Sequence, residues 1–213
     1  MTSNGAAIYN KKTGERIHGV AIEYVDLHSI LDAFAHYFHN GQITYEAFVD
    51  GVAYGGRAYV EHPEAFGVPE RNVAYVQSTR KPVDDIIAFL SEHEEELDSL
   101  DIVAADTALY KKIEEQIPLV TKSVYTTSAV SYRLEISHKN SGKATGLAYV
   151  LKLLGITPEE TVAFGDGDND AEMLEFAGLG VAMENATENC KAAADIVCDC
   201  CKNDGVARFL YGF

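Results

Sequence analysis

The chain has 213 residues, with 33 acidic and 17 basic side chains, so its formal net charge is −16 at pH 7. Hydrophobic residues make up 47% of it, which is enough for a packed core of one or two domains and excludes a wholly disordered chain. The acidity argues against nucleic acid or an anionic membrane as the main partner, because both attract basic surfaces.

The first part of the chain is predicted to open with a hairpin and a helix. Residues 6–9 and 16–22 are extended segments separated by a turn-rich stretch. Apolar residues recur at helical spacing over 22–38, and Asn40-Gly41 is a suitable helix end. The segment 43–59 is rich in β-branched and aromatic residues and is broken by Asp50-Gly51, which predicts two antiparallel strands.

The next part continues this mixed pattern. We expect 61–81 to be a long irregular link, and Pro82 to begin a helix that carries Ile86, Leu90 and Leu97. A strand at 102–105, a helix at about 107–116 stopped by Pro118, and strands at 120–126 and 131–136 follow. The stretch 22–136 is therefore typical of an α+β unit.

The pattern changes after residue 136. A strong helix at 141–154 is followed by short segments that alternate between strand and helix: 161–164, 170–177, 178–183, 187–194, 196–197 and 205–211. Such alternation with short loops indicates an α/β fold with a doubly wound parallel sheet.

The sequence also bears on the compartment. No apolar run approaches the ~20 residues that span a bilayer, and the N-terminus lacks the charge and apolar pattern of a signal peptide. The four cysteines, Cys190, Cys198, Cys200 and Cys201, lie near the C-terminus and cannot staple a whole fold. We expect a reduced, cytoplasmic protein.

The most informative stretch is the acidic loop, Gly165 to Asp170, which follows an apolar strand. It places Asp166, Asp168 and Asp170 beyond the carboxyl end of that strand, where ligands bind in open α/β sheets. Mutual repulsion of the three carboxylates is relieved if a cation such as Mg²⁺ sits among them. The alternative is a solvated acidic turn. An EF-hand does not fit, because Ala171 and Ala177 stand where that loop needs Gly and Glu.

A second feature is Ser141-Gly142-Lys143 at the start of the strong helix. It is not a phosphate-binding Walker A loop, since Ser137 replaces the first glycine and Ala144 follows the lysine. A lysine in the first turn opposes the helix dipole, at a cost of ~0.3–1 kcal/mol. The position suits a bound anion, which the lysine and the helix end would both attract. A plain surface lysine is the alternative.

These residues carry a family resemblance. The chain resembles Cof-type phosphatases of subfamily IIB of the haloacid dehalogenase superfamily from end to end. The resemblance implies a Rossmann-like core with an inserted α+β cap: a core hairpin remnant at 1–20, the cap at 21–136 and the C-terminal half of the core at 137–213. The matching segments are Thr2-Ser3-Asn4-Gly5-Ala6, Ser141-Gly142-Lys143, Gly165-Asp166-Gly167-Asp168-Asn169-Asp170, Gly180-Val181-Ala182-Met183, Asn185-Ala186, Ala194-Asp195-Ile196-Val197 and Asp204-Gly205-Val206-Ala207.

The resemblance also implies a mechanism, in which an aspartate attacks the phosphoryl group of a small phosphorylated metabolite such as a sugar phosphate. Mg²⁺ neutralises the phosphate. By position, Asp166 is implied to bind Mg²⁺ and Asp170 to bind it or orient its waters. Lys143 is implied to hold the phosphate, Asn169 to help position the lysine or the phosphate, and Asn185 to face the substrate.

The chain departs from the family in one respect. Family members begin with a strand that ends in Asp-x-Asp-Gly-Thr, and a second strand that ends in Ser or Thr follows it. The sequence given contains no such motif. We therefore expect that the nucleophile and the acid/base are missing, and that the chain has little or no turnover alone. We also expect it to associate with itself or with the missing N-terminal segment.

Three alternatives remain open at this point. The chain is a non-catalytic remnant that serves as a binding module, or a phosphotransferase similar to phosphomannomutases, because hydrolysis and transfer differ only in the access of water. Cys198-x-x-Cys201 is compatible with zinc, but one pair plus two stray cysteines favours ordinary reduced thiols.

Overall fold

A computed structural model describes residues 1–212. The chain divides into two units, the first comprising Met1–Ser141 and the second beginning at Gly142. The predicted division into a core hairpin remnant at 1–20, a cap at 21–136 and a core half at 137–213 stays a prediction.

The first unit alternates strands and helices in an order that closely follows the predicted one. Its elements are β1 (Ala7–Tyr9), β2 (Arg16–Gly19), α1 (Tyr24–His39), β3 (Ile43–Val49), β4 (Val52–Gly56), α2 (Arg57–Glu61), α3 (Glu70–Thr79), β5 (Arg80–Val83), α4 (Ile86–Glu92), β6 (Leu97–Ala104), α5 (Thr107–Val120), β7 (Val124–Val130) and β8 (Arg133–His138).

Most strands of this unit form one six-stranded sheet in the order β5-β4-β3-β6-β8-β7. Its pairs are antiparallel except for β4 with β5, which is parallel. The predicted turn between β3 and β4 is confirmed: Asp50 and Gly51 have φ angles of 50° and 72°, which is the backbone that a two-residue hairpin requires. The predicted N-terminal hairpin is β1 paired with β2.

The core of the first unit lies between this sheet and the amphipathic helices. Leu27 and Phe34 on α1 and Ile113 on α5 share one buried cluster with Leu100 and Tyr45 from the central strands. The apolar spacing that predicted these helices therefore marks the faces that they bury.

The predicted link at 61–81 is wrong, because residues 70–79 form α3 and residues 80–83 form β5. The helix has only one buried residue, Val76, so it offers little apolar periodicity to read. Two predictions that rested on proline are also wrong. Pro82 lies in β5, an edge strand that tolerates a missing N–H donor, and Pro118 lies inside α5.

The second unit confirms the predicted alternation. Its elements are α6 (Lys143–Leu154), β9 (Val162–Gly165), α7 (Ala171–Phe176), β10 (Leu179–Met183), α8 (Glu188–Ala192), β11 (Ile196–Cys198) and α9 (Gly205–Tyr211).

The three strands of this unit form a parallel sheet in the order β11-β10-β9. Because the strands are parallel, the loops that follow them leave from the same edge of the sheet. The acidic loop follows β9, and the segment with Asn185 follows β10. This edge is therefore where ligand-binding side chains of the second unit are expected.

Two further features agree with the composition. Within residues 1–212, no helix combines the length and the apolar character that crossing a membrane requires. All four cysteines are free thiols.

Replacement of a core leucine tests the packing of the first unit. Leu100 is 0% exposed, and Leu100→Ala is expected to lower the free energy of unfolding by about 2–5 kcal/mol, because it removes buried methyl groups and leaves a cavity. Leu119→Ala is the matched control, since Leu119 is 85% exposed and its loss should cost less than about 0.5 kcal/mol. Urea unfolding of both variants measures the difference; equal losses would contradict the assigned core.

Candidate active site

Asp170 is the central side chain of the acidic loop. It is 4% exposed and is held by three hydrogen bonds. Its Oδ2 atom accepts the backbone N–H groups of Asp166 at 2.9 Å and Gly167 at 3.0 Å. Its Oδ1 atom accepts a hydrogen bond from the Nζ atom of Lys143 and forms an ion pair with it. Asp170 thus fixes the fold of its own loop and joins it to α6.

Lys143 stands at the first position of α6, where the sequence left a choice between a surface lysine and an anion site. Its side chain is 26% exposed, and its ammonium contacts the buried carboxylate. The preceding Gly142 has a φ of 149°, which favours glycine and lets the chain enter the helix at this angle. The pairing removes the expected conflict of Lys143 with the helix dipole, because Asp170 supplies the negative charge.

Two glycines make room for this arrangement. A β-carbon at position 165 would overlap the side chain of Asp170, and one at position 167 would lie 2.7 Å from Oδ1 of Asn169. The first of these separations is 2.4 Å, and both are shorter than the contacts that real β-carbons make. Gly165 is therefore required by the position of the Asp170 side chain, whereas the space at Gly167 is limited by the amide of Asn169.

Asp166 and Asp168 differ from Asp170 in their exposure and partners. The side chains of both are exposed. Within the described residues, the Asp166 carboxylate makes no hydrogen bond or ion pair, whereas Asp168 accepts a hydrogen bond from the hydroxyl of Thr187 at 2.6 Å. The backbone N–H of Thr187 also donates to the carbonyl of Asp166 at 3.0 Å. Thr187 was missed from the sequence, where only its N-cap position before α8 could have drawn attention.

The charges of the site shift two pKa values. Burial raises the pKa of Asp170, but the Lys143 ammonium and the two backbone donors outweigh it, so its pKa lies below the ordinary value. Burial, followed by the charges of Asp170, Asp166 and Asp168, raises the pKa of the Cys190 thiol. Cys190 is completely buried on α8, and no pattern in the sequence indicated that this cysteine lies near the acidic loop. The site has three carboxylates and one ammonium, so its net charge is negative.

The two asparagines of the predicted site lie in different places. Asn169 is half-buried within the acidic loop, between Asp168 and the Asp170 anchor. Asn185 is exposed on the loop after β10, where it lines a depression with Glu184, Cys200, Cys201 and Lys202. The structure thus brings Lys143, Asp166, Asn169 and Asp170 to one loop and helix end, and places Asn185 on the neighbouring loop.

The three aspartates do not converge on one point as the sequence suggested. Among residues 1–212, one group of three possible ligand atoms lies within 4.8 Å of one another, and it consists of Glu184, Asp199 and Cys200. The repulsion in the acidic loop is relieved by Lys143 and Thr187 instead. Cys198 is buried, with its sulfur 3.5 Å from that of Met183, whereas Cys201 is exposed.

The donors of the acidic loop nevertheless suit a magnesium ion. Asp166 offers an unengaged, exposed carboxylate, and Mg²⁺ is usually held by one or two carboxylates together with waters and a phosphate. The neighbouring lysine is placed to attract the same phosphate. The chemistry of these donors fits a hard cation bound with an anion.

Comparisons with known proteins bear on this site. A sequence profile described as haloacid dehalogenase-like hydrolase matches residues 1–210. A phosphoglycolate phosphatase from Methanopyrus kandleri is 32% identical over 162 residues, which are 73% of this chain and 68% of that protein. A phosphatase of Bacillus subtilis is 30% identical over 232 residues, covering 99% of this chain and 77% of its own length. Several other phosphatases match over much shorter parts.

The fold has solved counterparts. A haloacid dehalogenase-like hydrolase from Bacteroides thetaiotaomicron superposes with a TM-score of 0.74 at 23% identity. The match covers 98% of this chain and 73% of that one. It therefore confirms the predicted fold class.

The Asp170 anchor predicts a pH-dependent loss of stability. Asp170→Asn is expected to lower the free energy of unfolding by about 1–3 kcal/mol at neutral pH, because hydrogen bonds to a charged group are lost. The pKa of Asp170 is lower in the folded state than the unfolded value of about 3.9. Its contribution is therefore present above about pH 4 and disappears as the pH falls through the folded pKa.

Urea unfolding across this pH range compares the variant with wild type. Glu175→Gln, an exposed carboxylate on α7, is the control and should change stability by less than about 0.5 kcal/mol. A difference between wild type and Asp170→Asn that stays constant down to about pH 3 would exclude Asp170 as the titrating anchor.

Proposed function

The chain belongs to the haloacid dehalogenase-like hydrolases, and from this membership we propose that its second unit forms the cation- and phosphate-binding side of a Mg²⁺-dependent phosphatase site. The proposed substrates are small phosphorylated metabolites. A relative that spans most of this chain is named a phosphoglycolate phosphatase, which supports a small phosphate ester.

The observation that carries the proposal is the contact between Lys143 and Asp170. A half-buried ammonium held beside an acidic loop is placed to bind a phosphoryl group, and its partner keeps it in position when no phosphate is bound. In this role Lys143 offsets negative charge as it develops on the phosphoryl oxygens. Asn169 adds an amide next to the same position, where it helps orient the lysine or the phosphate.

Asp166 is the residue proposed to bind Mg²⁺, since its carboxylate is exposed and unengaged. The backbone N–H groups of Asp166 and Gly167 both donate hydrogen bonds to Asp170, which fixes the main chain at Asp166. Both carboxylate oxygens of Asp170 already accept hydrogen bonds from the protein. Its proposed role is therefore to orient the acidic loop and the water molecules that Mg²⁺ would carry. When bound, Mg²⁺ supplies neutralisation of the phosphate and holds it in place.

No residue of this chain is assigned as the nucleophile, because Asp-x-Asp-Gly-Thr does not occur in the 213 residues. Little or no hydrolysis by this chain alone stays a prediction, which an assay with p-nitrophenyl phosphate and Mg²⁺ measures. Mg²⁺-dependent turnover that Asp166→Ala abolishes would show that the chain carries its own nucleophile. The cytoplasm is proposed as the compartment, on the grounds of the free cysteines.

Titration calorimetry with Mg²⁺ tests the assignment of Asp166. Asp166→Asn is expected to weaken Mg²⁺ binding by about tenfold or more. Replacement of residues that only hydrogen-bond to a metal ligand already lowers metal affinity by about 10–100-fold. Glu175→Gln is the control and should bind Mg²⁺ as the wild type does. Equal affinities for wild type and Asp166→Asn would remove Asp166 from the ligands.

Binding of orthovanadate, an analogue of the phosphoryl group, tests Lys143 in the presence of Mg²⁺. Lys143→Met is expected to lose about tenfold or more in affinity, since a charge-assisted hydrogen bond to an anion is worth about 1.5–3 kcal/mol. Lys152→Met changes an exposed lysine in the last turn of the same helix and should bind orthovanadate normally. If neither Mg²⁺ nor vanadate binds the folded wild type, the result would favour a non-catalytic binding module over a phosphatase site.

A further inference from the structure

Asp168 is the one carboxylate of the acidic loop to which the proposed function gives no role. It is exposed, and it lies between the proposed Mg²⁺ ligand Asp166 and the anchor Asp170. Its Oδ1 atom accepts a hydrogen bond at 2.6 Å from the hydroxyl of Thr187, a residue 19 positions away. The third carboxylate of the loop is therefore held by a different segment, the one between β10 and α8.

Thr187 is itself held in place by further hydrogen bonds. It is the N-cap of α8, and its hydroxyl oxygen accepts the backbone N–H of Cys190 at 3.2 Å. Its own backbone N–H donates to the carbonyl of Asp166 at 3.0 Å. Threonine is β-branched, so few rotamers are open to its side chain. A hydroxyl has a single proton to donate, and in this arrangement Asp168 receives it.

These bonds act on different parts of Asp166 and Asp168. At Asp166 the main chain is bonded on both sides, since its N–H donates to Asp170 and its carbonyl accepts from Thr187. At Asp168 it is the carboxylate that is bonded. Among residues 1–212, Asp168 belongs to no group of three ligand atoms that lie within 4.8 Å of one another. Thr187 therefore leaves the carboxylate of Asp166 available and draws that of Asp168 toward α8.

The number of carboxylates at a site affects which divalent cation it prefers. Mg²⁺ demands an octahedral arrangement and keeps several of its waters, so about one or two carboxylates are enough to hold it. Ca²⁺ takes about six to eight oxygens in a flexible arrangement, accepts carboxylates through one or both oxygens, and binds more tightly as charged ligands are added. A second carboxylate beside Asp166 would therefore help Ca²⁺ more than Mg²⁺.

We propose that Thr187 is a positioning residue that sets the cation specificity of the candidate metal site. By holding Asp168 on the α8 side of the loop, its hydroxyl leaves Asp166 as the carboxylate that an incoming ion meets, which favours Mg²⁺ over Ca²⁺. When the hydroxyl is absent, the carboxylate of Asp168 becomes available to the ion as well. This inference rests on the proposed function, because it requires that Asp166 binds the ion.

The ratio of the dissociation constants for Mg²⁺ and Ca²⁺ tests the role of Thr187. Each ion is titrated alone into the full chain and followed by calorimetry, and the ratio removes effects of net charge because the two ions carry the same charge. Thr187→Val keeps the shape of the side chain without its hydroxyl, and is expected to shift the ratio toward Ca²⁺ by about threefold or more, since added charged ligands favour that ion. Thr187→Ser keeps the hydroxyl and should retain the wild-type ratio.

A double-mutant cycle ties the shift to Asp168. Thr187→Val also removes the cap of α8, and Asp168→Asn separates the two effects because it leaves that cap intact. Asp168→Asn alone is expected to keep the wild-type ratio, since Asp168 is not a ligand while Thr187 holds it. Asp168→Asn combined with Thr187→Val is expected to restore the wild-type ratio. If Thr187→Val does not fold, Thr187→Gly removes the same hydroxyl with a residue that helix N-caps accept.

The proposal is overturned if the folded variant without the hydroxyl keeps the wild-type ratio. A shift that persists after Asp168→Asn is added also overturns it, because Asp168 is then not the source. A shift in Asp168→Asn alone does the same, since Asp168 is then already a ligand in the wild type. Asp166→Asn distinguishes these results from failure of the proposed function: if it binds Mg²⁺ as the wild type does, or if neither binds, the proposed function fails together with this inference.

Discussion

The second unit depends on one buried carboxylate. Asp170 closes its own loop through two backbone amides and reaches α6 through Lys143, so a strand, a loop and a helix that are separate in sequence meet at one side chain. The same contact neutralises a buried charge and fixes the ammonium that we propose to bind a phosphoryl group. Because burial of an unpaired charge is expensive, neither partner is replaceable alone. The ion pair therefore links the stability of this region to its proposed chemistry.

The first unit uses buried charge in a different way. Arg80 forms a bidentate pair with Glu46, and Arg133 lies 2.9 to 3.6 Å from three carboxylates, which are those of Glu135, Asp101 and again Glu46. Replacement of buried ion pairs by well-packed apolar groups is often neutral or stabilising. The network is therefore weak evidence for added stability in itself, although removal of one partner would leave an uncompensated buried charge.

The sequence was sufficient where local rules agree with packing. The alternating segments after residue 141, the Asp50-Gly51 turn and the acidic loop all follow from glycine positions and apolar spacing. It failed where the tertiary context decides: α3 has almost no buried face, and Pro82 is tolerated because its strand lies at the sheet edge. The site was predicted only in part for the same reason. Spacing located Lys143 and Asp170, but their direct contact spans 27 positions and no local pattern encodes it.

The fold of the acidic loop also shapes how this region tolerates mutation over evolutionary time. Positions 165 and 167 carry no functional group, yet a β-carbon at position 165 would lie 2.4 Å from the β-carbon of Asp170, and one at position 167 would lie 2.7 Å from the amide oxygen of Asn169. A replacement of either glycine would therefore act through the space that the new side chain needs, and not through the loss of a functional group. A mutational scan that ranks positions by side-chain chemistry would overlook them, whereas one that ranks positions by fitness should place them beside the charged residues that they accommodate.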